Sequence, residues 1–118
     1  MKQPNPSLRT LAEVVALHYK VPLKELIGKS KTKQNSHARH VFCTLARTRT
    51  TKSLHVIARF LSNRDHTSIL HSAREGTKIA DKHTLKELSE LAIQKQKEKI
   101  EHIRKDIINA QANYSINE

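Results

Sequence analysis

The fold is indicated most clearly by residues 53–75, SLHVIARFLSNRDHTSILHSARE. Apolar residues recur at helical spacing on both sides of a polar turn at residues 62–64, which predicts two amphipathic helices. Ser53 and Asp65 precede these helices and are residue types that favour helix N-termini. Two short helices joined by a tight turn are the layout of a helix-turn-helix, whose second helix enters the major groove of DNA.

The first turn of the predicted second helix contains Asp65, His66, Thr67 and Ser68. An aspartate at this place is informative, because phosphates repel it while a helix N-terminus stabilises it and cytosine N4 can donate a hydrogen bond to it. Thr67 offers a methyl group to thymine and a hydroxyl to a base or a phosphate. The same four residues also suit an ordinary N-cap followed by small polar side chains, and by themselves they leave both interpretations open.

The positive charge of the chain is concentrated in its first two thirds. Lys and Arg total 22 against 11 Asp and Glu, a net charge of +11. Residues 1–80 contain 15 basic and 4 acidic residues, whereas residues 81–118 contain 7 of each. Nine basic residues and no acidic residue lie between Glu25 and Asp65. Such a field attracts polyanions, which favours DNA binding over the alternative of a solvated basic face that only aids solubility.

Length and composition exclude several classes of protein. A chain of 118 residues with two Gly, three Pro and 3% aromatic residues predicts one all-α domain, too short for a barrel enzyme. The sequence contains no G-x-x-x-x-G-K-[ST] motif, so we predict no nucleotide partner and no enzymatic activity. The single Cys43 excludes an intrachain disulfide, and no stretch reaches the roughly 20 apolar residues of a membrane span. Because the N-terminus also lacks the apolar run of a signal peptide, these features predict a cytoplasmic protein with no membrane partner.

The flanking sequence predicts further helices. Pro4 and Pro6 oppose regular structure, so residues 1–6 are expected to form a disordered leader. The basic stretch 29–36 is polar throughout and is predicted to be an exposed loop, and Gly76 is expected to weaken or end the fifth helix. The predicted helices in chain order are Ser7 to about Tyr19, Pro22 to Ile27, His37 to about Arg49, one after Ser53, one after Asp65, and one or two within residues 77–113.

The segment from Asn63 to His71, NRDHTSILH, closely resembles the signature of the C-terminal DNA-binding domain of the DnaA-type bacterial replication initiator, whose usual form is GRDHTTVLH. The Arg-Asp-His-Thr run and the following Leu-His are intact, and the resemblance covers about residues 11–95. It implies an all-α bundle of five to six helices with a Trp-repressor-like helix-turn-helix, here over residues 7–95. Residues 96–118 lie beyond the usual end of the family and are predicted to form a C-terminal helical extension, so that the chain ends in a long helix. The resemblance also implies sequence-specific binding of double-stranded DNA at a DnaA-box-like site, which regulates replication initiation or transcription at the nucleoid.

The resemblance assigns roles to individual positions. Asp65 to Ser68 match the residues that read the major groove, and Leu54 and His55 match a Leu-Pro pair that touches thymine methyl groups. Lys31 takes the place of an arginine that enters the minor groove. Phosphate-contacting positions of the family fall at or near Lys33, Arg39, His40 and His71. The complete predicted DNA-binding set is Lys31, Lys33, Arg39, His40, Leu54, His55, Arg64, Asp65, His66, Thr67, Ser68 and His71.

Departures from the family pattern are expected to shift the target away from the initiator's short A/T-rich box. His55 replaces the proline, and Lys31 replaces the minor-groove arginine with a more strongly hydrated ammonium. Residues 62–63 are Ser-Asn instead of the usual pair of small turn residues. Gly76 stands where the family has an aliphatic residue.

Eight histidines raise the question of a metal site. His37, His40 and Cys43 lie three residues apart and could share one helical face. A structural zinc site needs four ligands, and the sequence has no second cysteine, so we predict no metal and no cofactor. Cys43 is expected to be a small buried apolar residue. A nucleophilic Cys43 with His40 as its base is disfavoured, because the spacing supplies no third orienting group.

The C-terminal segment suggests a second function. Ile93, Ile100, Ile103 and Ile107 follow an approximate heptad stripe, with fewer than three clean heptads. This stripe either packs on the domain or pairs two chains as a homodimer. The alternative function is therefore an interaction protein that uses its C-terminal helix to bind a partner, with only non-specific DNA contact. A basic amphipathic membrane helix is disfavoured because the segment is charge-balanced.

Overall fold

The structure is a computed structural model that describes residues 5–116, with side chains through residue 112. This part of the chain forms six α-helices and contains no strand, which confirms the all-α class with a long C-terminal helix. The helices are α1 (Leu8–Tyr19), α2 (Leu23–Ile27), α3 (Lys33–Arg49), α4 (Leu54–Phe60), α5 (His66–Ile79) and α6 (Lys82–Ile116).

Short polar side chains set where these helices begin. The hydroxyl groups of Ser7, Thr32 and Ser53 accept hydrogen bonds from backbone N–H groups in the first turns of α1, α3 and α4. Such caps satisfy N–H groups that a helix leaves without an internal partner. The cap at Thr32 means that α3 begins at Lys33 and not at His37, so the basic loop is shorter than predicted.

Helix α3 lies at the centre of the molecule. Its fully buried side chains include Phe42 and Leu45, and it packs against both α1 and α5. Aliphatic residues from the other helices complete the core, among them Leu11, Ile57 and Ile69, each fully buried. This core holds the two helices of the helix-turn-helix against a single rigid support, since buried apolar surface is the main source of folding free energy.

The sequence predicts that Gly76 weakens or ends the fifth helix, but the helix does not end there. Helix α5 continues through it to Ile79. A Cβ atom at Gly76 would collide with the Thr44 hydroxyl and with the backbone carbonyl of His40. The Thr44 hydroxyl also donates a hydrogen bond of 2.6 Å to the carbonyl of Ala73. The glycine therefore serves the close approach of α5 to α3 and not the termination of a helix.

Two other predicted boundaries differ from the structure. Residues 1–4 of the predicted disordered leader lie outside the described residues, but Pro6 is fully buried and belongs to the folded domain. The segment predicted as one or two helices within residues 77–113 is the end of α5 followed by the single helix α6. The Asp81 carboxylate accepts a hydrogen bond of 2.8 Å from the backbone N–H of Thr84, and so caps α6.

Helix α6 is docked on α1 in its first half only. The Lys99 ammonium lies 2.8 Å from the Glu13 carboxylate, and this hydrogen bond is the main reason why the pKa of Glu13 is below its ordinary value. Beyond Lys99 every side chain through residue 112 is exposed. Ile100, Ile103 and Ile107 are 44%, 57% and 54% exposed, so this part of the isoleucine stripe does not pack on the domain. No helix in the described part of the chain is long and apolar enough to cross a membrane.

Candidate nucleic-acid interface

Helices α4 and α5 are joined by a turn with two left-handed residues. Ser62 has φ 64° and Asn63 has φ 58°, and the backbone N–H of Arg64 donates to the carbonyl of Ala58 at 2.9 Å. A left-handed backbone favours glycine, and asparagine tolerates it better than most other residues. This geometry explains why the family signature begins with glycine at the position of Asn63.

The turn is fastened to the C-terminus of α2. The Ser62 hydroxyl donates to the carbonyl of Ile27 at 3.0 Å, and Nη2 of Arg64 donates to the carbonyl of Gly28 at 2.8 Å. Arg64 is half-buried, and its Nε is buried without a partner among the described residues. Because one edge of its guanidinium holds a backbone carbonyl, Arg64 acts as a tether between the turn and the segment that leads into the basic loop.

The resemblance predicts a phosphate contact for Arg39, but the structure does not place this side chain on the exposed surface. Its side chain is buried, with only 4% of the residue exposed. Nε donates to the carbonyl of Leu26 at 2.8 Å, and Nη2 donates to the carbonyls of Glu25 and Ser30 at 2.9 and 3.0 Å. These include C-terminal carbonyls that α2 leaves unsatisfied, and a cation is favoured at that end of a helix. Burial, and secondarily the nearby charge of Arg64, lower the pKa of Arg39 from its ordinary value.

The first turn of α5 presents its side chains to solvent. Asp65, His66, Thr67 and Ser68 are all exposed. Asp65 occupies the N-cap position, as predicted, but its side chain makes no capping hydrogen bond within the described residues. The carboxylate is therefore available to accept hydrogen bonds from a ligand at the positive end of the helix dipole.

A cleft of about 690 Å³ separates this turn from the basic loop and the start of α3. Its lining includes Lys29 and Lys31 from the loop, His40 from α3, and Thr67 and His71 from α5. The rings of His40 and His71 meet edge to face with centroids 6.2 Å apart. Burial, followed by the proximity of His71, lowers the pKa of His40. Both effects favour the neutral form of the His40 ring in the protein without DNA.

A second polar cluster adjoins the turn, where side chains of α4 meet the first turn of α5. Nδ1 of His55 lies 3.1 Å from Nε2 of His66, and Nη2 of Arg59 lies 3.0 Å from Nε2 of His55. Leu54, the neighbour of His55, is half-buried and packs against the core. The structure therefore brings the predicted site residues of α4 and α5 together on one surface. Lys33 lies exposed at the start of α3.

The family model that matches this chain is described as the bacterial dnaA protein helix-turn-helix, and it covers residues 8–75. The chain belongs to this family. The match runs from the start of α1 into α5, and so it includes the basic loop, the turn and the exposed first turn of α5. Family membership makes the chain a DNA-binding helix-turn-helix domain.

Similar proteins include the chromosomal replication initiator protein DnaA of three bacteria. The protein of Xanthobacter autotrophicus is 35% identical over 83 residues, 69% of this chain and 16% of that protein. The protein of Enterococcus faecalis is 33% identical over 87 residues, 72% of this chain and 20% of that protein. The protein of Neisseria meningitidis serogroup C is 30% identical over 71 residues, 60% of this chain and 14% of that protein. The chain spans a fifth or less of the length of these relatives.

The histidines and the cysteine of this family member do not form a metal centre in the part that the structure describes. No group of three or more His, Cys, Asp or Glu side chains there is placed to hold a metal ion. Cys43 is fully buried, and burial raises the pKa of its thiol to about 12. The thiol is therefore protonated at neutral pH and is not an activated nucleophile.

Two residues at this surface were not among the predicted site residues. Lys29 lines the cleft, and Arg59 contacts His55. A signal for both exists in the sequence, because Lys29 lies in the acid-free basic stretch and Arg59 follows His55 by one helical turn.

Proposed function

We propose that this chain binds double-stranded DNA sequence-specifically at a short initiator-type site, and thereby regulates replication initiation or transcription at the nucleoid. The observation that supports this best is the exposed first turn of α5, with an uncapped Asp65 carboxylate, beside a loop that carries Lys29 and Lys31. The family to which the chain belongs supports DNA binding over the alternative of an interaction protein with incidental DNA contact.

The charges of the site residues distinguish those that position the DNA backbone from those that recognise bases. Lys31 and Lys33 are exposed cations in the acid-free stretch, suited to the minor groove and to a phosphate respectively. Asp65 is an anion in this positive surface, and it accepts hydrogen bonds only. A base amino group, such as cytosine N4, offsets its repulsion from the phosphates. Asp65 therefore favours particular bases and disfavours non-specific binding.

The tethers between the turn and α2 support a combined reading of two grooves. Ser62 and Arg64 hold the turn against Ile27 and Gly28, directly before the basic loop. These tethers hold the first turn of α5 beside the start of the loop, so we expect the major-groove contacts and the minor-groove contact of Lys31 to keep a constant register. Rigid placement of both elements reduces the entropy lost on binding.

Thr67→Ala is expected to lower the discrimination between a DnaA-box duplex and single-base variants by about 1–3 kcal/mol at one base step, because the methyl and hydroxyl contacts are lost. Fluorescence anisotropy at physiological salt measures this. Lys33→Ala is the matched control, and it should weaken all duplexes equally and reduce the salt slope by about one unit. Unchanged discrimination in the Thr67 variant would show that α5 does not read the site.

We also propose that α6 pairs two copies of this chain. Beyond Lys99 the exposed Ile100, Ile103 and Ile107 follow the spacing of a coiled-coil seam. The rest of the chain is strongly positive and repels a second copy, whereas residues 81–118 are charge-balanced. A two-fold axis places the same stripe on both partners, so the surface is self-complementary.

Ile103→Glu is expected to weaken self-association by about tenfold or more, since an apolar contact is lost from both copies at once. Sedimentation velocity over a range of concentrations measures the dissociation constant. The control is Lys105→Gln, because Lys105 lies off the seam on the same exposed half of α6. A wild-type chain that remains monomeric throughout the concentration range refutes the pairing.

A further inference from the structure

The contact between His55 and His66 joins the two helices of the helix-turn-helix on the face proposed to meet DNA. The ring centroids are 5.3 Å apart and the rings are nearly perpendicular, at 88°. One nitrogen of each ring takes part, Nδ1 of His55 and Nε2 of His66, at 3.1 Å. The second nitrogen of His55, Nε2, faces Nη2 of Arg59 at 3.0 Å. Both nitrogens of His55 are thus engaged.

The chemistry of arginine determines the direction of these hydrogen bonds. A guanidinium has only donors, so Nε2 of His55 must accept from Arg59 and carries no proton. In the neutral form of the His55 ring, the single proton is then on Nδ1, which donates to His66. Nε2 of His66 must therefore accept, and the proton of the His66 ring is on Nδ1.

We propose that Arg59 and His55 are positioning residues that hold His66 as the Nδ1–H tautomer, so that His66 reads a hydrogen-bond acceptor on a base edge. This inference rests on the proposed function, because it assigns the chemistry of one reader within the same site. His66 then donates to guanine O6 or N7, adenine N7 or thymine O4, and it rejects the amino groups of cytosine and adenine.

Asp65 and His66 then have opposite hydrogen-bonding roles. Asp65 only accepts, and His66, held in this tautomer, only donates through its remaining ring nitrogen. The pair therefore matches a donor beside an acceptor in the major groove, as cytosine N4 lies beside guanine O6. Without the two positioning residues, a neutral His66 can exchange tautomers and present either a donor or an acceptor, which lowers its selectivity.

Two substitutions of Arg59 separate its hydrogen-bonding role from its charge. Arg59→Lys keeps a group that only donates, so the Nδ1–H tautomer of His66 is expected to persist. Arg59→Gln supplies both a donor and an acceptor, so either tautomer of His55 is satisfied and the constraint on His66 is released. Arg74→Gln is the charge control, since Arg74 is an exposed residue of α5.

Long-range ¹H–¹⁵N correlation spectra of the ¹⁵N-labelled full chain at mildly alkaline pH report which ring nitrogen is protonated. We expect His66 to be protonated at Nδ1 in the wild type, in Arg59→Lys and in Arg74→Gln, and to show a tautomer mixture in Arg59→Gln. Protonation of His66 at Nε2 in the wild type, or an unchanged tautomer in Arg59→Gln, would overturn the proposal.

Anisotropy with duplexes that vary the base pair opposite His66 tests the consequence for reading. The wild type and Arg59→Lys are expected to prefer an acceptor over an amino group by about tenfold, and Arg59→Gln to lose this preference. Arg74→Gln should keep the preference at lower overall affinity. Equal preference in the wild type and in Arg59→Gln overturns the reading role. Because the tautomer is measured on the protein without DNA, a failure to bind the box refutes the proposed function separately from the ring assignment.

Discussion

Arg39→Met is expected to lower the free energy of unfolding by about 3–5 kcal/mol, because it removes a buried cation that satisfies three backbone carbonyls. The carbonyls of Glu25, Leu26 and Ser30 would lose this partner, and the hydrogen bond to Leu26 is fully buried. Methionine fills a similar volume but donates no hydrogen bond, so the loss comes from the polar contacts and not from a cavity. Urea denaturation followed by circular dichroism measures the change.

Two controls distinguish this structural role from a phosphate contact. Arg39→Lys retains the charge, but a single ammonium cannot reproduce the planar fork that reaches several carbonyls, so an intermediate loss of stability is expected. Arg47→Met removes an exposed arginine from the same helix and should change stability by less than about 0.5 kcal/mol. If Arg39→Met unfolds at the wild-type urea concentration and instead weakens DNA binding, the phosphate role predicted from the resemblance is correct.

Gly76→Val is expected to destabilise the protein by about 3 kcal/mol, and Gly76→Ala by about 2 kcal/mol, because any Cβ there meets the Thr44 hydroxyl and the His40 carbonyl. The carbonyl belongs to the backbone of α3 and cannot rotate away, so α5 must move outward. Alanine gains up to about 1 kcal/mol from its higher helix propensity, which the collision outweighs. Thermal and urea unfolding measure the loss.

Thr77→Ala provides the comparison, since Thr77 is exposed on the same helix and its change should be within about 0.5 kcal/mol. A stabilising Gly76→Ala, as expected of a solvent-exposed helical glycine, would mean that α5 is not in close contact with α3. An outward shift of α5 also moves Thr67 and His71 relative to the basic loop. We therefore expect any folded Gly76 variant to bind DNA more weakly than the wild type.

The helices and the turn that carries the site can be predicted from the amino-acid sequence alone. Apolar spacing and the caps at Ser7 and Ser53 depend on residues a few positions apart, so they are visible before the chain folds. The signature from Asn63 to His71 led to the family that the match over residues 8–75 shows. The sequence predicts the start of α3 at His37, four residues after its start in the structure at Lys33, because the first turn is polar and no apolar spacing marks it.

The structural contacts of residues whose partners are far away in the chain depend on how the helices pack. The resemblance predicts that Arg39 and Arg64 contact DNA, and in the structure both also donate to carbonyls between 9 and 36 positions away. Gly76 is expected from the sequence to weaken or end α5, whereas the structure places it against α3 within a continuous helix. The contacts of these three residues depend on which backbone groups come within contact distance when the other helices pack. Local sequence does not encode that distance, whereas spacing and capping are local and were therefore predictable.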